Sequence, residues 1–272
     1  MKKYKKSLRI DNIVAPLVSV LGGIVIGAIF LVLSGHNPLI AYKELFIGAF
    51  GGGDFTNFAA TLSRLAPIVG MTMSCVISFR SGFLNIGGEG QLIIGGLSAA
   101  LVAVYVPVPN YILLPLTFLV GAFAAGIYSL LAAFLQFKFN VPLIISTLLL
   151  NYPARYISKY FVTNVFRETS SLMIQTKIVP EGIRFPLLVP HTQLHAGVLI
   201  ILLIVILVIV IDKKTVKGYE IRLTGLNRKF SEFGGINSIK LGYMVLFTSG
   251  AIAGIVGTVE VLGISHRFID GA

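Results

Sequence analysis

The run GVLIILLIVILVIVI, residues 197–211, holds fifteen residues and not one polar side chain. Apolar on every side, it does not read as the surface helix of a soluble protein. It does not alternate either, so it is not a strand of a membrane barrel. With the residues before it, the run reaches the roughly 20 needed to cross a bilayer as a helix. Similar runs recur along the chain, and composition agrees. Of the 272 residues, 56% are hydrophobic and 12% charged, where a soluble domain carries about 25% charge. The expectation is an all-α, polytopic helical membrane protein with about seven transmembrane segments, at about 13–33, 58–79, 89–106, 111–135, 141–160, 192–211 and 241–263. With no short repeat, low-complexity tract or soluble domain, residues 1–272 read as a single membrane domain.

A net charge of +11 raises the question of a nucleic-acid partner, but its position argues for the lipid bilayer instead. The lysines and arginines cluster in short polar stretches between apolar runs, where they set topology. Residues 1–12 carry Lys2, Lys3, Lys5, Lys6 and Arg9 against Asp11, and residues 212–240 carry seven cations against three acids. Both stretches are expected on the cytoplasmic side, which requires an even number of crossings between them. Six satisfy that parity only if residues 58–106 make two crossings. Residues 34–57 and about 161–190 then form outer loops, the second a surface loop or a short lying helix. The basic N-terminus reads as the start of a retained first helix, because the apolar run after it has no small-residue cleavage site.

One stretch interrupts the apolar pattern. FRSGFLNIGGEGQ, residues 79–91, packs Arg80, Asn85, Glu89, Gln91 and four glycines between two crossings. A charge in hydrocarbon costs about 2.5–3.5 kcal/mol on insertion scales, so ionisable groups there face a cavity or a partner. Arg80 and Glu89 are too far apart to pair on a straight helix but close enough if the chain turns at its glycines. Two readings stay open on spacing alone: a solvated hairpin at the cytoplasmic face, or a broken segment lining a pathway.

The 212–240 loop has its own internal structure. Asn227 is placed to cap a short helix over 228–233, Phe230 and Phe233 share one face, and Gly234 ends it. Such a helix suits either a groove on a soluble partner or an anionic lipid surface.

Other polar groups carry less. His191 and His195 share a helical spacing but have no third ligand beside them, and no metal site is expected. Cys75 is alone. No Walker A sequence or nucleophile elbow is present, so the chain is not expected to be an enzyme. Asn151 closes an apolar crossing and is a candidate pathway residue. Tyr152 reads as an interfacial anchor. The glycines of SGAIAGIVGTVE, residues 249–260, suit close helix packing. Glu260 is expected to line a cavity or meet a cation.

Four stretches together resemble the permease subunits of ATP-binding-cassette (ABC) importers, in the branch that takes up nucleosides and simple sugars, related to ribose and branched-chain amino acid permeases. They are NPLIAYKELFIGAFG (37–51), RSGFLNIGGEGQ (80–91), ISTLLLNY (145–152) and GYEIRLTGLNRKFSEFGGIN (218–237). The resemblance covers nearly the whole chain. It implies a permease that moves its substrate inward by alternating access, with no cofactor bound by this chain and ATP used by a separate nucleotide-binding subunit.

The resemblance also implies a second permease subunit, identical or homologous, an extracytoplasmic substrate-binding protein, and a prokaryotic plasma (inner) membrane with the N-terminus in the cytoplasm. The 212–240 loop becomes the coupling loop, with Gly218, Arg222, Gly225, Asn227, Phe230, Ser231, Glu232 and Gly235 as its residues. Ser231 and Glu232 stand where relatives carry a pair of alanines, and Leu143 stands where they often carry a glutamate. Arg80, Asn85, Glu89, Gln91 and Asn151 become the expected pathway residues, with Arg80 as a charge partner. The pattern GTVEVLGISHRFIDGA resembles the middle of the family sequence, and further helices are expected beyond it. An ion-coupled carrier using Glu89 is the alternative, and its uptake would collapse with the ion gradient.

Overall fold

A computed structural model describes residues 2–51, 55–171 and 173–269, with side chains described from Val14 onward. The basic side chains of the first twelve residues therefore lie outside what is described, as do Gly52, Gly53 and Asp54 of the outer loop and the last three residues. The chain divides into two units, residues 1–61 and 62–272.

In the first unit, α1 spans Lys2–Leu33 and α2 spans Pro38–Phe50. Residues 34–57 are expected as a loop, but thirteen of them form α2. Asn37 caps α2 by accepting from the Leu39 amide at 2.9 Å, and Pro38 sits at the first helical position, where its missing N–H costs nothing. Tyr42 donates to the Ile24 carbonyl at 2.6 Å and ties α2 to α1.

The second unit holds the rest of α3 (Thr56–Arg80), then α4 (Gly88–Tyr105), α5 (Asn110–Phe139), α6 (Leu143–Tyr160), α7 (Gly197–Lys214), α8 (Val216–Leu226), α9 (Arg228–Phe233) and α10 (Ser238–Glu260). Each of the seven expected crossings coincides with a helix. Five helices of the described chain are long and apolar enough to span a bilayer: α1 from Val14, α3, α4, α5, and α10 with its continuation to Ser265. The other two are diluted by charge, α6 by Arg155 and Lys159 and α7 by Asp212, Lys213 and Lys214 at its end. Residues 161–196 contain one π-turn, Phe161–Val165, and one short 3-10 turn, Glu181–Ile183, joined by irregular chain.

The centre of this unit is a packing of α4, α5 and α10 through small residues. Inside a bilayer, apolar side chains gain little by leaving lipid, so helices associate through close contact. A side chain on Gly254 would strike the Gly121 carbonyl, and one on Gly95 would strike Gly254. Larger side chains surround this seam. Ile201, Ile204 and Val208 of α7 pack with Val245, Val256 and Val259 of α10, and Phe83, Leu143 and Leu246 form a second cluster. One carboxylate oxygen of Glu260 is buried without a hydrogen-bond partner among the described residues, at the point where α10 passes into the π-turn Val261–Ser265.

Replacing Gly254 with valine should separate α10 from α5 and destabilise the fold by about 1–3 kcal/mol, the usual cost of overpacking. Gly22, with open space where its Cβ would stand, should accept alanine without loss. Thermal unfolding of the two variants in detergent checks the contrast.

Candidate functional site

The site begins where α3 stops. Its last turn closes with the Ser81 and Gly82 amides donating to Ser78 and Phe79, and Gly82 takes a positive φ of 79° that a side chain would resist. From there Phe83–Gly87 runs without helical structure, and α4 starts only at Gly88. This segment climbs the flank of α6. The Ile86 amide donates to Thr147 at 3.2 Å, the Gly90 amide to Asn151 at 2.9 Å, and Glu89 pairs with Arg155. Thr147, Asn151 and Arg155 are four residues apart and so form one stripe along α6. The segment is thus held against α6 from one side.

Leaving a helix frees backbone groups that need partners away from water. Asn85 supplies them. Its Oδ1 accepts from the Gly87 amide at 3.0 Å and from the Gln91 side chain at 3.1 Å. Its Nδ2 donates to Gln91 at 3.0 Å and to Ser249 of α10 at 2.9 Å. Ser74 of α3 donates to the Ser249 carbonyl at 2.7 Å. The network thus joins α3, α4 and α10 through one asparagine that is 1% exposed. Asn151 meets one of the first amides of α4, an N-terminal cap from a neighbouring helix.

Arg80 and Glu89 do not pair. The turn at Gly82 sends the segment up α6 and carries Glu89 to the level of Arg155. Arg80 stays at the end of α3 and pairs with Asp212. A cavity of about 550 Å³ opens beside Glu89, lined also by Tyr152, Arg155, Tyr156, Lys159 and Phe268. Of the five expected pathway residues only Glu89 lines it. Asn85, Gln91 and Asn151 are buried and hydrogen-bonded within the packing. Arg155, Tyr156 and Lys159 were missed. The fourfold spacing of Thr147, Asn151, Arg155 and Lys159, all polar within one crossing, is the pattern that marks them. Tyr152, expected as an interfacial anchor, turns toward this cavity.

At the far end of α7, the polar loop folds into α9, as its sequence suggests, and into α8 before it. Thr215 caps α8, accepting from the Gly218 amide at 3.1 Å, and Asn227 caps α9, accepting from Phe230 at 3.0 Å. Gly234 follows α9, and Gly235 takes a φ of 86°. Ser231 faces inward, fully buried against Thr224, and donates to the Arg228 carbonyl at 2.7 Å. Glu232 faces outward and accepts from Ser238 and from Arg228. The two residues that replace alanines therefore have separate roles, one packing α9 on α8 and one tying α9 to the start of α10. Leu226, Phe230 and Phe233 stay exposed, Phe233 at 92%.

Residues 57–272 match the family described as branched-chain amino acid transport system, permease component, and the chain belongs to that family. The chain is 30% identical over 270 residues to the guanosine ABC transporter permease protein NupP of Bacillus subtilis, covering 97% of this chain and 76% of that protein. It is 26% identical to the nucleoside ABC transporter permease protein NupB of Lactococcus lactis subsp. cremoris, over 95% of this chain and 73% of that one. It is 29% identical to the glucose ABC transporter permease protein TsgB13 of Haloferax volcanii, over 93% and 69%. No solved structure matches the chain. The protein is a multi-pass membrane permease subunit of an ABC importer, and the matches favour that over the ion-coupled carrier built on Glu89.

Replacing Asn85 with leucine would leave the Gly87 amide and Gln91 without a partner, at about 1–3 kcal/mol for each stranded buried group. Detergent-solubilised N85L should unfold at a lower temperature than the native chain, and unchanged stability would contradict the network's role.

Acid should act on the α9–α10 junction. The Ser238 hydroxyl, then Arg228, hold the Glu232 carboxyl below the usual carboxylate range. A depressed value means that the folded chain disfavours the proton. The tie is therefore complete above the ordinary carboxylate range and is lost as pH falls through Glu232's own lower value. Hydrogen-exchange protection at Ser231–Ser238, corrected for intrinsic rates, should fall on acidification in the native chain and show no such step in E232Q.

Proposed function

We propose that this permease subunit imports nucleosides or simple sugars through a path that passes the Glu89 cavity, driven by ATP hydrolysed on a separate subunit. What carries the reading is the cavity itself, where a carboxylate, two cations and two tyrosine rings meet beside a break in a membrane helix. A sugar or a ribose offers hydroxyls to Glu89 and Arg155, and a base offers a flat face to Tyr152 and Tyr156. The names of the relatives, transporters of guanosine, nucleosides and glucose, support the same substrate class. Asn85, Gln91 and Asn151 serve this path from behind, by holding the segment that presents Glu89. Arg80 serves it from the far end of α3.

The N-terminus and the α8–α9 loop face the cytoplasm of a prokaryotic cell, as the positive-inside rule requires of both basic regions. There α9 enters a cleft on the nucleotide-binding subunit, with Phe230 and Phe233 as anchors and Gly218, Arg222, Gly225, Asn227, Ser231, Glu232 and Gly235 shaping the loop around them. A second permease subunit completes the pathway, and an extracytoplasmic binding protein delivers the substrate. The permease itself alternates access, binds no cofactor and changes no bond in what it carries.

Capture of the full chain from its own membranes should bring down an ATPase subunit. Replacing residues 225–235 with a flexible linker should abolish that capture. Truncating Phe230 and Phe233 to alanine should weaken it by about tenfold or more, since buried aromatic anchors cost about 2 kcal/mol or more each. ATPase capture unaffected by the linker would end the coupling-loop reading. Uptake assays with labelled nucleosides, hexoses and branched-chain amino acids on the same cells decide the substrate class, and uptake of the amino acids alone would overturn it.

A further inference from the structure

Three charged side chains from three elements converge at the end of α3. Asp212, in the last turn of α7, accepts from Arg80 of α3 and, at 3.3 Å, from Arg222 of α8. Its side chain is 13% exposed, while those of Arg80 and Arg222 are 47% and 36% exposed. One shielded acid thus holds two cations through charge-assisted bonds, the strong kind.

The backbone is joined at the same place. Gly225 of α8 lies so close to the Arg80 carbonyl that a Cβ would collide with it, and Gly82 faces it from the turn. Arg228, the first residue of α9, stands over the Phe83 ring at 5.8 Å. Phe83 belongs to the cluster with Leu143 and Leu246, and two residues further on lies Asn85. Contacts therefore run without a gap from α9, through α8 and the elbow at Arg80–Phe83, to the segment that ends in Glu89 at the cavity.

We propose that Asp212 is the positioning residue of coupling: it clamps α8 to the end of α3, so that displacement of α9 moves Phe83–Gly87 and with it Glu89. The transport half of this proposal rests on the ATPase-docking reading above, while the clamp itself does not. Neutralising Asp212 releases both guanidiniums and lets α8 shift, yet it leaves the exposed face of α9 intact.

The first test needs only the permease. In D212N the amides of Phe83–Gln91 should exchange about tenfold faster, the size of a typical coupling, and D212E should restore most of the protection. Native exchange there in D212N overturns the clamp whether or not an ATPase is found.

The second test uses the complex captured with the native chain and rebuilt in vesicles, with ATP hydrolysis and uptake measured together. D212N should keep its ATPase and its hydrolysis while uptake per ATP falls about tenfold. A native ratio, or loss of the ATPase altogether, overturns the coupling role. Should D212N fail to fold, R80Q and R222Q decide, because each removes one exposed partner. A partial loss of ratio and of Phe83–Gln91 protection in both supports the proposal, and native values in both overturn it.

Discussion

A peptide group that leaves a helix inside a bilayer has no water to turn to, and the protein must supply a partner or lose several kcal/mol for each one stranded. Everything distinctive in this chain follows from meeting that demand over Phe83–Gly87. Asn85 can do it because an amide offers two donors and two acceptor sites at once. It uses them on Gly87, Gln91 and Ser249 together. The Thr147–Asn151–Arg155 stripe meets the segment from the side. With those partners in place, α4 can begin in the interior of the helix packing rather than at its edge, and Glu89 comes to stand beside a cavity.

α4 is held in place by closeness. Gly95 and Gly96 of α4 lie against Gly254 and Gly257 of α10, with little room for side chains. Dispersion falls off steeply with distance, so packing backbone on backbone gains contact that bulkier residues would prevent. The same residues that make SGAIAGIVGTVE look featureless as chemistry are therefore what holds α4 against α10.

How legible this was varied with the physics that decides each part. The helices at the seven expected positions followed from length and apolar content, since hydrocarbon thickness leaves few choices. The α9 helix followed to the residue, because Asn227 and Gly234 act on their own neighbours and need no tertiary information. The fate of Arg80 and Glu89 did not follow. Their pairing depended on where the chain went after Gly82, and that is decided by Thr147 and Asn151, some sixty residues away. The α2 helix was missed because the glycines at 48 and 51–53 read as loop, although Asn37 and Pro38 carry its start signal.

The two ion pairs that resulted differ in a way that bears on function. Asp212 is shielded and shared between two arginines, an arrangement that resists change. Glu89 and Arg155 are each about half exposed, and a pair so open to water is worth about 0–1 kcal/mol. Such a pair adds little to the fold, whereas removing either charge leaves the other still solvated. It is also a pair that a ligand's hydroxyls can enter at small cost, because water already competes for both partners. A permease must bind its cargo and then let it go, and tight, dry charge pairing would hinder the second step. Under the proposed function, the open pair at the cavity is the one that yields to a substrate, and the shielded one at the elbow is the one that carries displacement from the loop.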